Sequence, residues 1–138
     1  MTELPDVHTQ ADLLAVWRRL MTPLGFRSAS LWMLHLDADG RANPAIAEIA
    51  ELPELPDEVS GSGFLEVLRH LDADHPGGRF AFLRSRPGHG IEAADREWAA
   101  FIYAAGRSGG VRMEVVHLAT DVDVVPLPMD EVGVRRTA

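Results

Sequence analysis

The run Phe80-Ala81-Phe82-Leu83 constrains this chain more than any other segment. Its four successive apolar residues put apolar side chains on both faces of a strand, and such a strand needs cover on both sides. The arginines that bound the run, Arg79 and Arg84, mark where the cover ends. The chain is therefore expected to place this run centrally in a sheet flanked by helices.

The rest of the chain supplies that cover in a readable order. Leu13, Leu14, Trp17, Leu20, Met21 and Leu24 form the apolar stripe of an amphipathic helix from about residue 10 to 22, which Pro23 and Gly25 stop. Ser30 to Leu36 is apolar on both faces and reads as a buried strand. The Asp37-Ala38-Asp39-Gly40 turn then returns the chain as a second arm at roughly Ala45 to Ile49. Pro53, Pro56, Gly61 and Gly63 give residues 51 to 63 the composition of an irregular surface loop. Phe64, Leu65, Leu68 and Leu71 make a second helical stripe, ended by the cluster from Asp72 to Gly78. Beyond the central strand, Ala94, Trp98, Ile102 and Ala105 mark a third helix that starts near Ile91 or Glu92 and closes at Gly106. Met113 to Leu118 and Val122 to Val125 read as two further strands, and the tail after Pro128 as frayed. The expected fold class is α/β, a three-layer-like mixed β-sheet with flanking helices. The expected domain organisation is a single domain over 1–138 with its core at 30–130 and a frayed tail at 131–138.

Charge and composition narrow the function classes. A formal charge of −8 opposes a phosphate backbone at long range, so no nucleic-acid partner is expected. No apolar run has the length of a membrane span or signal peptide, so no membrane association is expected. The chain has no cysteine, which removes thiolate nucleophiles and sulfur-ligated zinc and suits a reducing, cytoplasmic setting. All 13 basic residues are arginine, the side chain best shaped for bidentate pairing with a carboxylate or phosphate.

Residues 84 to 95 are where chemistry is expected, because a loop leaving a central strand for a helix N-terminus is where α/β proteins place ligands. The segment holds Arg84, Arg86, His89 between two glycines, and Asp95 in the first turn of the helix. The plain structural reading is that Pro87, Gly88 and Gly90 shape a tight connection while Asp95 complements the helix dipole.

From Ser30 to about Asp130 the element order and this local pattern resemble the JAB/MPN family, most closely its bacterial RadC-like branch. In that family a strand ends in His-x-His-Pro and a Ser-x-x-Asp opens the next helix. The histidines and aspartate hold zinc, and an upstream glutamate holds the attacking water. The resemblance, aligned on Pro87, implies a cytidine-deaminase-like JAB/MPN architecture. It puts Arg84 and Arg86 at the two histidine positions with Ser85 between them. Glu92 falls near the serine position, Asp95 on the aspartate, and Glu48 or Glu51 on the glutamate. The loop from Pro87 to Asp95 is shorter than the family pattern. Guanidinium cannot ligate a metal, because it stays protonated and has no free lone pair. The resemblance therefore implies a pseudo-active site without metal or cofactor, in which Arg86 supplies a cation to Asp95.

Other ionisable residues are less organised. His8, His70 and His75 lie in polar surface segments, whereas His35 reads as a hydrogen-bonded core histidine. Trp17, Trp32 and Trp98 fall on apolar stripes or strands and are expected in the core. The acidic stretch Glu48, Glu51, Glu54, Asp57 and Glu58 is either a solvated surface or a partner-facing edge. The chain contains no P-loop, no nucleophile elbow and no His-Glu-x-x-His. Three readings follow. The first, which we favour, is a non-catalytic JAB/MPN-like domain that binds a protein partner or its own copy. The second is a small-anion module built on Arg84, Arg86 and the amides of Gly88 to Gly90. The third is a metal-dependent hydrolase with an altered site drawn from His89, His117, Asp95 and Glu48.

Overall fold

A computed structural model describes residues 5–43, 46–56 and 58–129, the side chains of 58–62 excepted. Helix α1 (Gln10–Met21) is followed by β1 (Ser30–Leu36), β2 (Ala47–Ile49), α2 (Glu58–Asp74), β3 (Arg79–Ser85), α3 (Ala93–Gly109), β4 (Val116–Ala119) and β5 (Val124–Leu127). The strands form one open sheet in the order β2-β1-β3-β4-β5, which puts β3 in the middle. Strand β1 pairs antiparallel with both β2 and β3, β3 pairs parallel with β4 across the α3 connection, and β4 pairs antiparallel with β5. Pro126 is tolerated because β5 lies at the sheet edge.

Strand parity assigns each residue to a layer. Phe80 and Phe82 face α2 and α3 in a core with Leu68, Trp98, Ile102, Val116 and Leu118. Ala81 and Leu83 face α1 in a second core with Leu13, Val16, Trp17, Leu34 and Leu36. The chain is thus a mixed α/β domain with helices on both faces, and residues 80–83 are central and buried. The helix that carries Asp95 packs over the sheet through Trp98 and Ile102.

Local chemistry explains the element ends. Thr9 and Asp12 form a capping box at α1, with Asp12 N–H donating to Thr9 Oγ1 at 3.1 Å and Thr9 N–H donating to Asp12 Oδ2 at 3.1 Å. Tyr103 anchors α3 to the sheet, accepting from Val116 N–H at 2.8 Å and donating to the Leu127 carbonyl at 2.7 Å.

Several boundaries correct the sequence reading. Helix α2 begins at Glu58, so the irregular loop covers only the first part of 51–63, and Gly61 and Gly63 lie within the helix. Helix α3 runs past Gly106 to Gly109 and ends on Gly110 in the left-handed conformation, φ 65°. A Cβ at Gly106 would lie 2.4 Å from Met113 Cγ, so this glycine allows close packing inside the helix and does not cap it. Of the predicted strand 113–118, only the part from Val116 is regular; Met113 makes an isolated bridge to Phe80. The last strand is shifted to Val124–Leu127. Ala45, at the start of the predicted return arm, and the predicted tail 131–138 lie outside the described residues. His35 is buried against Phe80 and His75, and among the described residues its Nε2 has no hydrogen-bond partner. A Cβ at Gly78 would sit 2.4 Å from that Nε2, so glycine is required there for the ring to fit.

Candidate functional site

The carboxyl end of β3 delivers its residues alternately to the two layers. Arg84 has the parity of Phe80 and Phe82 and points under the N-terminus of α3, whereas Ser85 points to the α1 layer and accepts from Trp32 Nε1 at 3.0 Å. Arg86 lies just past the strand, tied to β4 by its N–H donating to the Ala119 carbonyl at 3.1 Å.

Asp95, fully buried in the first turn of α3, is the hub. Its Oδ1 accepts from Arg84 Nε at 3.0 Å and from Arg86 Nε at 2.8 Å. Its Oδ2 accepts from Arg86 Nη2 at 2.6 Å and from the Glu92 N–H at 2.7 Å. Arg86 therefore grips the carboxylate with its planar fork, a geometry lysine cannot reproduce. Arg86 also donates to the Pro87 carbonyl at 2.8 Å and the Gly90 carbonyl at 2.6 Å, which locks the loop around the pair. Gly88, at φ 98°, allows this wrap, since a Cβ there would stand 3.2 Å from Arg86 Nη1.

Burial pushes the Asp95 carboxyl upward. The Arg86 hydrogen bonds, the Glu92 amide and Arg84 together outweigh it and hold the group below the usual carboxylate range. The Asp95 hydrogen bonds raise Arg86 against the opposing effect of burial. Two guanidiniums share the Asp95 carboxylate, with the exposed Glu92 carboxylate 3.9 Å from Arg86 and Asp121 nearby adding negative charge outside the buried cluster. Arg84 Nη1 is buried with no hydrogen-bond partner among the described residues.

Asp121 supports the loop from outside, and sequence reasoning passed it over. Its carboxylate accepts from the Gly88 N–H at 2.8 Å and the Phe26 N–H at 3.1 Å, and these amides hold its pKa below the usual value. Its backbone N–H returns a bond to the Gly88 carbonyl at 3.0 Å. The polar stretch Thr120-Asp121-Val122-Asp123 between the last two strands is the signal that could have found it.

The remaining predicted site residues disperse. Glu92 is the N-cap residue of α3, with an exposed side chain 3.9 Å from Arg86. His89 is exposed at the tip of the loop. Glu48 pairs with Trp32 across β1 and β2 and accepts from Ser30 Oγ at 2.9 Å, on the α1 side of the sheet. Glu51, the other candidate for the family glutamate, is exposed beyond the end of β2. His117 is the parallel partner of Leu83 and so also faces α1, with Nδ1 3.0 Å from the Val115 carbonyl. Burial pushes its pKa down to about 4, so the ring is neutral near pH 7. Asp95 and His117 thus occupy opposite faces of the sheet. Among the described residues no three His, Cys, Asp or Glu side chains are placed to hold a metal. The set His89, His117, Asp95 and Glu48 is not assembled.

The fold and this centre define an open mixed α/β-sheet domain whose strand-to-helix junction is closed by an arginine-carboxylate cluster. No known protein family's profile matches the chain, and no curated protein is similar to it. Among the described residues no helix is long and apolar enough to cross a membrane.

Proposed function

We propose that this chain is a non-catalytic domain of the JAB/MPN type that acts by binding a protein partner or a second copy. The observation that carries the reading is the closed pair of Arg86 with Asp95, joined by Arg84, at the strand end where that family holds its metal. Zinc does not fit this residue set, because both arginines are permanent cations and Asp95 is already committed to four N–H donors. With Asp95 saturated by four donors and both arginines permanently charged, the centre holds the loop and helix together and is not built to move a proton.

Elemental analysis of untagged protein dialysed without chelator tests the non-catalytic half. The expected result is no stoichiometric zinc. About one zinc per chain, lost on replacing His89 or His117, would overturn the reading in favour of a rearranged hydrolase. Sedimentation of the pure chain, alone and with soluble proteins of its own cell, tests the binding half.

One observation favours the second reading, a small-anion module. Arg84 Nη1 is a buried donor without an acceptor among the described residues, and an anion would satisfy it. Titrating phosphate against thermal stability decides this: a concentration-dependent rise that disappears in Arg84→Met would replace the interaction reading with an anion-binding one.

A further inference from the structure

The α2/α3 face of the sheet is not uniformly covered. Helix α2 packs against α3, through contacts such as Phe64 on Phe101 at 5.4 Å between ring centroids, and reaches the sheet through Phe64 on Phe82 at 5.3 Å. Over the β1–β2 end it leaves a groove of about 510 Å³. Leu31, Met33 and Phe82 form the floor, and Phe64, Trp98 and Phe101 form the inner wall. Ile49 on the edge strand and Val67 on α2 form the two lips, 52% and 56% exposed. The volume is in the range of a ligand site, and the apolar surface continues outward over both lips, as at protein-docking grooves.

The rim identifies the occupant. Glu54 follows the lining residue Pro53, Glu66 sits three residues after Gly63 on α2, and Glu97 sits four residues before Phe101 on α3. The latter two spacings put each carboxylate on the same helix face as a lining residue. All three glutamates are exposed. The nearby arginines turn elsewhere. Arg69 runs along Gly109 at the far end of α3, its Cγ 3.6 Å from where a Cβ would be. Arg96 is two residues from Trp98 and five from Phe101, spacings that do not share a face. A fatty acid would bring its carboxylate to this acidic rim, and a second copy would bring the same glutamates.

We propose that the groove docks a cationic amphipathic segment of a protein partner, with apolar residues at helical spacing seated between α2 and the β1–β2 end. Its lysines or arginines then meet Glu54, Glu66 and Glu97. This rests on the protein-interaction reading and gives the partner its chemistry.

The probe is a fluorescein-labelled peptide with leucines at i, i+3, i+4 and i+7 and lysines elsewhere, compared with its leucine/glutamate counterpart. Anisotropy should show binding of the lysine peptide that weakens with salt, and none of the glutamate peptide. Ile49→Arg combined with Val67→Arg should weaken binding by on the order of tenfold or more. Val122→Arg, a change of the same sign at a 68% exposed position on the β4–β5 turn, should leave it unchanged. A second readout is independent of variant folding. The Trp98 indole N–H, which donates to the Pro53 and Glu54 carbonyls at the groove, should shift in the NMR spectrum, whereas that of Trp17 on the α1 layer should not. Equal binding by the double lip variant and the wild type, equal binding of the two peptides, or an unmoved Trp98 resonance overturns the proposal. Decanoate filling the groove while the peptide fails to bind also overturns it, in favour of a small-ligand cavity. A peptide that fails while the chain still forms a complex elsewhere sinks the groove alone, whereas stoichiometric zinc sinks the function reading with the peptide result unaffected.

Discussion

The two faces of the sheet solve the same covering problem differently. On one face α1 is the only helix and, with Val7 ahead of it and Leu24 and Phe26 behind it, seals the strands, with Leu13, Val16, Trp17, Leu34 and Leu36 all without solvent exposure. On the other, α2 and α3 share the work. Helix α3 closes over β3 and β4, with Asp95 buried and Tyr103 bonded to β4 and β5, while α2 leans on α3 and leaves the β1–β2 end open. A face closed by one helix has a single packing surface to satisfy, whereas two helices packed on each other satisfy part of their apolar area without the sheet. The shared face is where both the polar centre and the groove occur.

The largest test of this contrast is the polar centre. Asp95→Ala leaves two guanidiniums buried without their carboxylate and should cost about 3–5 kcal/mol, and Arg86→Ala somewhat less because Arg84 still bonds Asp95. Replacing Arg86 and Asp95 together by apolar residues of similar size should recover much of the loss, since the desolvation penalty goes with the charges. Denaturant melts of the two single variants and the double give the coupling, and strict additivity would show that the residues act separately.

Next in size is a pair of neighbours that point to opposite layers. Leu34→Ala on the sealed face should cost about 2–5 kcal/mol, whereas Met33→Ala, which borders space that is already open, should cost about 1 kcal/mol or less. Equal losses in thermal melts would mean that the groove closes in solution.

Acid sharpens the contrast further. His117 is buried on the α1 layer with a pKa of about 4, below its ordinary 6.5, so unfolding takes up a proton between those values. Stability is therefore expected to fall as pH drops from 6.5, by up to about 1.4 kcal/mol per pH unit, and this loss should level off below pH 4. Asp95 on the other layer acts at lower pH. Its folded pKa is depressed, so its contribution is complete above 3.8 and is lost as pH falls through the folded value. In stability profiles against pH, His117→Leu should flatten the first limb and leave the second.

Particular residues show what was legible. The continuous apolar runs of Phe80 to Leu83 and of β1 are local properties, and both strands appear where expected. The pairing of Arg86 with Asp95 was expected only from the family resemblance, which set both at metal-ligand positions; the residues alone gave Asp95 a helix-dipole role, and the two side chains do meet. Glycine misled twice. Gly61 and Gly63 read as loop residues yet lie in α2, and Gly106 read as a helix end yet makes room for Met113. A glycine in sequence does not tell whether it is there for its backbone freedom or for the space its missing side chain leaves.

By itself, then, the sequence determined the period and polarity of each segment, and with them the class of fold, the central strand and the junction where charge gathers. Those properties depend on neighbours a few residues apart, which any stretch of chain carries with it. Only the tertiary structure decided that Arg84 joins Asp95, that His117 and Glu48 face the opposite layer, that Asp121 braces the loop, and that α2 stands away from β1 and β2. Each of these depends on which residues distant in the chain share one face of the sheet, and that is settled by strand register and by how helices divide the apolar area between them.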